Sequence, residues 1–124
     1  MKTYAAPDAA APVGPYSPAV EAGGFVLCSG QIALDAAGQM VGYTAPDQAR
    51  QALDNLTSLL AQAGLDLSAV VKTTVFLTDL ADFAAVNDVY AGYFTEPFPA
   101  RSTVQVAALP KGAKVEIEAI ATRA

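Results

Sequence analysis

Apolar residues recur at two different spacings along this chain, and the two spacings predict different elements. From residue 44 to residue 63, leucines and alanines return every three or four positions, which is typical of one buried face of a helix. Gly64 would end that helix. A second helix is expected from its N-cap Asp79 to about Phe94, where two prolines follow. Alternating or continuous apolar runs predict strands at residues 19–21, 25–30, 70–77, 101–106 and 114–121.

The order of these elements predicts an α+β fold of the pattern β-β-α-β-α-β-β, in which two helices pack on one face of a mixed sheet. Residues 22–24 would form the hairpin turn between the first two strands. The first 18 residues are expected to form an extended arm, because three prolines within residues 12–18 exclude a helix. Neither a linker nor a repeat divides the sequence, so we expect a single domain over residues 1–124.

Alternation within the last two strands predicts a polar face on the sheet. Arg101, Thr103 and Gln105 share one side of their strand, and Glu116 and Glu118 share one side of theirs. Apolar residues occupy the other side of each strand and suit contact with the helices. We therefore expect these polar residues together on the face opposite the helices, as a site or as an ordinary solvated surface.

The composition points to more burial than one small core provides. Of the 124 residues, 53% are hydrophobic and only 15% are charged, and the mean hydropathy is +0.34. This balance excludes an intrinsically disordered chain. It is also high for a small soluble monomer, and it suggests that apolar surface is buried between subunits.

Residue types that are rare in the sequence exclude several kinds of chemistry. There is no histidine, which excludes a Ser-His-Asp site and the usual zinc sites, so no metal is expected. Cys28 is the one cysteine, and we expect it in a buried strand. A net charge of −5 and a pI of about 4.4 disfavour a nucleic-acid partner. The sequence shows neither a long apolar run nor a secretory signal, so we expect a cytoplasmic protein with no membrane partner.

Several short motifs, in order over nearly the whole chain, resemble one family. They are Gly14-Pro15-Tyr16-Ser17, Ser29-Gly30-Gln31-Ile32, Val70–Leu77, Pro99-Ala100-Arg101-Ser102, Leu109-Pro110-Lys111-Gly112-Ala113 and residues 115–121. Each motif is weak alone, but all of them at the expected spacing make the chain similar to the RidA/YjgF family of enamine/imine deaminases. The resemblance implies a chorismate-mutase-like fold, a homotrimer with active sites between adjacent subunits, and no cofactor.

The resemblance also implies a reaction. The family's archetypal substrates are 2-aminoacrylate and 2-aminocrotonate, or their imine tautomers 2-iminopropanoate and 2-iminobutanoate. Hydrolysis converts them to 2-oxo acids and ammonia, which removes reactive metabolites. The expected partner of this chain is therefore a small 2-imino carboxylic acid.

Three residues match the family's catalytic positions. A guanidinium binds a carboxylate through two parallel hydrogen bonds, and Arg101 matches the family's carboxylate-binding arginine. The alternative for Arg101 is a structural ion pair with Glu116 or Glu118. Glu116 matches the glutamate that would act on the attacking water or the imine nitrogen. Tyr16 matches a tyrosine at the edge of the cleft, with packing at a subunit boundary as its alternative.

Four further residues fall on positions that line the family's site, namely Ser29, Gly30, Asn87 and Thr103. Structural hydrogen bonding accounts equally well for Ser29 and Asn87. Thr103 departs from the family pattern, because many bacterial members have a cysteine there. That departure removes thiol chemistry at this position without requiring a loss of activity.

Other functions stay open on the sequence alone. They are deamination of a different imine in a catabolic pathway, a ribonuclease or translation-inhibitor activity, and ligand binding by a non-catalytic trimer. The acidic, histidine-free composition weighs against the ribonuclease. The presence of Arg101 favours catalysis over simple ligand binding.

Overall fold

Helices and strands follow one another in the expected order, with one additional strand at the start. The computed structural model describes residues 1–123, and Ala124 lies outside the described residues. The strands are β1 (Lys2–Tyr4), β2 (Ala19–Ala22), β3 (Phe25–Gln31), β4 (Val70–Leu77), β5 (Ala100–Gln105) and β6 (Val115–Thr122). The helices are α1 (Ala45–Gln62) and α2 (Phe83–Ala91).

The six strands form one mixed sheet in the order β1-β2-β3-β6-β4-β5. Strands β4 and β5 run parallel and are connected through α2, whereas every other neighbouring pair is antiparallel. The predicted α+β class is thus confirmed. The prediction lacked β1, because three residues with a lysine and a threonine show no apolar alternation.

The core lies between both helices and one face of the sheet, which we call the helix face. The leucines predicted for the buried stripe of α1, Leu53, Leu56 and Leu60, are fully buried against this face. Burying each one contributes about 1.5–3 kcal/mol. Cys28 is 5% exposed in the same layer, and burial raises the pKa of its thiol to about 12. Its predicted location in a buried strand is confirmed.

Side-chain capping marks the start of α1 and of the short 3₁₀ turn that precedes α2. The Thr44 hydroxyl accepts a hydrogen bond from the Asp47 N–H at the start of α1. Asp79 caps a separate 3₁₀ turn, Leu80–Asp82, by accepting from the Ala81 N–H. The second helix is therefore shorter than predicted, because its first turn is 3₁₀ and its C-cap is Gly92. None of the helices within residues 1–123 is both long and apolar enough to cross a membrane.

Strand register determines which side chains share a face of the sheet. Thr73 of β4 lies directly opposite Arg101 of β5, and Thr73 is fully buried under α2. Residues paired in this way point to the same side, so Arg101 lies on the helix face. Glu116 of β6 pairs with Phe76, which lies three residues after Thr73 on β4. Because side chains alternate between the two faces along a strand, Phe76 and Thr73 point to different faces. Glu116 therefore lies on the opposite face, which carries no helix and which we call the open face.

The predicted polar face is consequently wrong for β5. Arg101, Thr103 and Gln105 lie on the helix face, while the two glutamates of β6 lie on the open face. Alternation groups the residues of one strand correctly, but it does not say which group faces the helices. Because β5 is the edge of the sheet, its helix side is only partly covered and accepts polar residues. Val104 alternates with them and lies on the open face, where it is 41% exposed.

Candidate functional site

The sequence-predicted site residues form two groups on the two faces of the sheet. The arginine group, on the helix face, consists of Arg101, Asn87 and Thr103. The glutamate group, at the open face and beside the N-terminal arm, consists of Tyr16, Ser29, Gly30 and Glu116.

The arginine group is built around an exposed guanidinium. Arg101 Nη1 donates a 2.7 Å hydrogen bond to Asn87 Oδ1 on α2. The Cζ atom of Arg101 lies 4.8 Å from the ring centroid of Tyr90 and 5.6 Å from that of Phe83, close enough for cation–π attraction. Thr103 lines the same small cleft. A guanidinium has five donors, so most of them are available to a ligand.

Arg101 has no acidic partner among residues 1–123, where the ion pairs are those of Arg50 with Asp47 and of Arg123 with Glu21. The structural ion pair with a glutamate of β6 is excluded within the chain by the opposite faces of the sheet. The Arg101 side chain is therefore held in place by neutral groups while its positive charge has no acidic partner among these residues. Such a guanidinium is suited to binding a carboxylate.

The glutamate group lines a cavity of about 430 Å³ beneath the N-terminal arm. Tyr16, Gly30 and Glu116 contribute to its wall together with several alanines of the arm. Glu116 is half-buried, and burial raises the pKa of its carboxyl, with a further increase from the charge of Glu118. A carboxyl with a raised pKa is better suited to exchange protons near neutral pH.

Gly30 leaves the space that the Glu116 carboxylate occupies. A Cβ atom at Gly30 would lie 2.6 Å from Glu116 Oε2 and 2.7 Å from its carboxyl carbon. The register between β3 and β6 shifts between Cys28 and Gln31, and this irregularity brings the backbone of Gly30 close to Glu116. A side chain at position 30 would therefore displace the carboxylate.

Ser29 holds the arm that carries Tyr16. Its hydroxyl donates to the Ser17 carbonyl at 2.7 Å, and its N–H donates to the Pro18 carbonyl at 2.8 Å. Tyr16 is 53% exposed at the rim of the cavity. The Ser29 hydroxyl proton is thus used within the protein, and Ser29 fixes the position of Tyr16.

The sequence reasoning missed the residues that support Arg101. The apolar spacing of Phe83, Val86, Tyr90 and Tyr93 predicts a stripe on the second helix that packs on the sheet. Phe83 is instead 40% exposed beside the guanidinium, and Tyr90 contacts it with its ring. Their spacing from Asn87, four residues before and three after, places all three on one helix face and could have revealed this cluster.

One chain does not bring its arginine and glutamate groups together. Arg101 and Glu116 lie on opposite faces, and β4 separates their strands by two strand spacings, or roughly 10 Å. Within residues 1–123, no three histidine, cysteine, aspartate or glutamate side chains converge in a way that could hold a metal ion.

Comparison with known proteins shows similarity over the full length of the chain. The family model described as Endoribonuclease L-PSP matches residues 6–123. The RutC family protein y4sK of Sinorhizobium fredii is 54% identical over 114 residues, which cover 91% of this chain and 90% of that protein. The 2-iminobutanoate/2-iminopropanoate deaminase of Salmonella typhimurium is 50% identical over 125 residues, covering 98% of each protein.

A solved structure shows the same fold. The crystal structure of Escherichia coli TdcF with bound serine matches with a TM-score of 0.93 at 43% identity, covering 100% of both chains. This match, together with the mixed sheet and two helices, agrees with the chorismate-mutase-like fold expected from the motifs.

Proposed function

The chain belongs to the RidA/YjgF family, and we propose that it hydrolyses reactive 2-imino acids in the cytoplasm. The proposed substrates are 2-iminopropanoate and 2-iminobutanoate, or their enamine tautomers, and the products are 2-oxo acids and ammonia. The observation that carries the proposal is Arg101, a guanidinium held by Asn87 and two aromatic rings without an acidic partner within residues 1–123. The Salmonella relative named as this deaminase supports it.

In the proposed mechanism, Arg101 binds the substrate carboxylate through two charge-assisted hydrogen bonds. This fixes the neighbouring C=N bond and places its carbon for attack by water. Arginine suits the task because its guanidinium is planar and always charged.

Glu116 is proposed to move the protons. Its carboxylate takes a proton from the attacking water as the C–O bond forms, and the C=N bond becomes a C–N single bond. Glu116 returns this proton to the nitrogen, and the hydroxyl proton follows it as the C=O bond forms and the C–N bond breaks, so the nitrogen leaves as ammonia and water is the only co-reactant. The half-buried position and the raised pKa of Glu116 support this role. Tyr16, at the rim of the same cavity, would donate a hydrogen bond to substrate or water.

A complete site is proposed to need two copies of the chain. Arg101 of one copy would meet Glu116 of the next, since the two residues lie on opposite faces of one sheet. The open face also exposes apolar side chains that an adjacent copy would cover, including Phe25 (46% exposed) and Leu27 (41% exposed). The family resemblance implies three copies, arranged as a homotrimer.

The experiment that tests this function measures 2-oxo acid and ammonia released from an imine that is generated in place. An amino-acid oxidase or a threonine dehydratase supplies the imine, and semicarbazide competes for it. We expect the wild-type protein to accelerate hydrolysis. Arg101→Ala should lower kcat/KM by about a hundredfold or more, whereas Arg50→Ala on the surface of α1 should not change it. Equal rates with and without the wild-type protein would contradict the proposal.

The cavity beside Glu116 favours one alternative within the same reaction class. Its volume of about 430 Å³ and its alanine-rich wall leave room for an imine with a larger apolar side chain. Imines prepared by oxidase from leucine or phenylalanine test this alternative. Preferential hydrolysis of those imines would favour a catabolic substrate over 2-iminopropanoate.

A further inference from the structure

The guanidinium of Arg101 rests on an aromatic residue that is itself attached to the core. We propose that Tyr90, through a buried hydrogen bond to Thr73, is a positioning residue that holds Arg101 ready to bind the substrate carboxylate. This inference rests on the proposed function of Arg101 as the carboxylate-binding residue. It assigns a role to two residues that do not themselves contact the substrate.

Tyr90 joins the exposed arginine to the interior. It is only 6% exposed, and its ring centroid lies 4.8 Å from Cζ of Arg101. Its hydroxyl forms a 2.7 Å hydrogen bond with Oγ1 of Thr73, which is fully buried. The same ring stacks on Phe94, with centroids 4.4 Å apart. The hydroxyl end and the ring face of Tyr90 are therefore both held by neighbours.

The register of the sheet makes this support local to Arg101. Thr73 of β4 lies directly opposite Arg101 of the neighbouring strand β5. Three contacts therefore connect the backbone of Arg101 to its own guanidinium. The backbone pairs with Thr73, the Thr73 hydroxyl bonds to that of Tyr90, and the Tyr90 ring lies against the guanidinium. The ring that contacts the guanidinium is therefore held by the strand that pairs with the arginine's own strand.

Asn87 and Phe83 complete the support from the same helix. Asn87 accepts a 2.7 Å hydrogen bond from Nη1 of Arg101, and the Phe83 ring centroid lies 5.6 Å from Cζ. These residues and Tyr90 occupy one face of α2. The hydrogen bond between Tyr90 and Thr73 is the side-chain connection from this face to the strand beneath the arginine.

Such support matters because a free arginine side chain has many rotamers. Restricting them before the ligand arrives removes that entropic cost from binding. The effect should appear in the affinity for the carboxylate, since the reacting C=N bond is not contacted by either hydroxyl. A residue with a purely structural role would change the amount of folded protein but would not change affinity selectively.

The test compares two tyrosines whose hydroxyls have different partners. Tyr90→Phe keeps the ring and removes the bond to Thr73, whereas Tyr93→Phe removes a 2.8 Å bond to Asp54 on α1 and serves as the control. The readouts are binding of 2-oxobutanoate by titration calorimetry and the separate values of kcat and KM. We expect Tyr90→Phe to raise Kd and KM roughly three- to tenfold with kcat within about twofold, and Tyr93→Phe to change none of them.

A second variant covers the possibility that Tyr90→Phe folds poorly, because the lone Thr73 hydroxyl would then be buried without a partner. The double variant Tyr90→Phe/Thr73→Val removes both hydroxyls, and we expect it to raise Kd by the same three- to tenfold. An unchanged Kd in any folded variant that lacks the hydrogen bond would overturn the inference. So would an equal increase in Kd for Tyr93→Phe.

The calorimetric readout separates this inference from the proposed reaction. Binding of 2-oxobutanoate that depends on both Arg101 and Tyr90, without any imine hydrolysis, would leave the inference intact and overturn the deaminase proposal. Hydrolysis that requires Arg101 but is unchanged when the Tyr90–Thr73 bond is removed would overturn the inference and leave the deaminase proposal intact.

Discussion

Among the three arginines of this chain, Arg101 differs in how its charge is balanced. Arg50 and Arg123 each approach a carboxylate oxygen to 2.7 Å. Arg101 instead contacts an amide oxygen and two aromatic rings, which orient a guanidinium without neutralising it. An orienting but neutral environment leaves the full charge for a ligand.

At Gly30, we predict that the smallest possible side chain is sufficient to damage the site. Gly30→Ala should lower kcat by about tenfold or more, because the new Cβ would displace the carboxylate of Glu116. Gly92→Ala at the end of α2 is the matched control, since its Cβ would come no closer than 3.4 Å to the Val89 carbonyl. Steady-state kinetics of both variants check the prediction, and full activity of Gly30→Ala would contradict the assigned role of Glu116.

The pH dependence of the reaction should report Glu116. Burial and the charge of Glu118 both raise the pKa of the Glu116 carboxyl. As the proposed base, Glu116 must be deprotonated, so activity should fall on the acid side at a higher pH than for an ordinary glutamate. Glu118→Gln removes the charge and lowers the pKa of Glu116, which should move the acid limb of kcat/KM to lower pH. A limb that stays in place or moves upward would show that another group controls it.

Secondary structure was predictable where the pattern of apolar residues is strong. Strand β4 was predicted at its observed bounds, and α1 differs from its prediction by one residue at each end. Both elements are buried, so their apolar spacing directly reflects their packing. Strand β1 escaped prediction because Lys2 and Thr3 are exposed and give no pattern.

Which of the two alternating sets of residues in a strand faces the helices was less predictable than the strand itself. The alternation of Arg101 and Thr103 with Ser102 and Val104 is genuine, but β5 lies at the edge of the sheet, with polar residues on its helix side. The general expectation that helices cover the apolar side fails there. Only the pairing of Arg101 with Thr73 of β4 shows which face of the sheet Arg101 occupies.

An ion-pair network at one end of the sheet predicts how the free energy of unfolding varies with pH. Arg123 on the chain after β6 and the Tyr4 hydroxyl of β1 both donate hydrogen bonds to Glu21 of β2. These bonds, led by that of Arg123, lower the pKa of Glu21 to about 2. A lowered pKa stabilises the fold above the unfolded value of about 4.5, and this stabilisation is lost as the pH falls toward 2.

Glu21→Gln should therefore weaken the acid dependence of stability. The melting temperature of the wild type should fall faster than that of the variant between about pH 4.5 and pH 2, while both keep the same fold. Thermal unfolding followed by circular dichroism across this range measures the difference. Parallel curves for the two proteins would rule out Glu21 as a significant contributor.

At the scale of the whole molecule, the division of the proposed site between two faces of the sheet is the reason for proposing an assembly of several copies. Arg101, proposed to bind the carboxylate, and Glu116, proposed to transfer protons, lie on opposite faces of the sheet. Under this proposal one substrate meets both residues only if another copy supplies the missing half. The exposed Phe25 and Leu27 on the open face support contact with another copy. Three copies of a 12.7 kDa chain would give a particle of about 38 kDa.

The sequence could propose residues for the site but could not show that the fold places them on two faces of the sheet. Motif matches proposed Arg101, Glu116 and Tyr16, because those motifs are local in sequence. The separation of Arg101 from Glu116 depends on the long-range pairing of β5 and β6 with β4, which no local pattern contains. The bond between Tyr90 and Thr73 likewise joins residues 17 positions apart.

The most direct test of the account mixes two inactive variants. Arg101→Ala and Glu116→Gln each remove one half of the site, and each alone should be inactive while still assembling. When equal amounts are unfolded together and refolded, a site between neighbours keeps both residues in about one case in four, so about a quarter of wild-type activity should return. If the mixture stays as inactive as the separate variants although mixed particles form, the claim of a site shared between copies is contradicted.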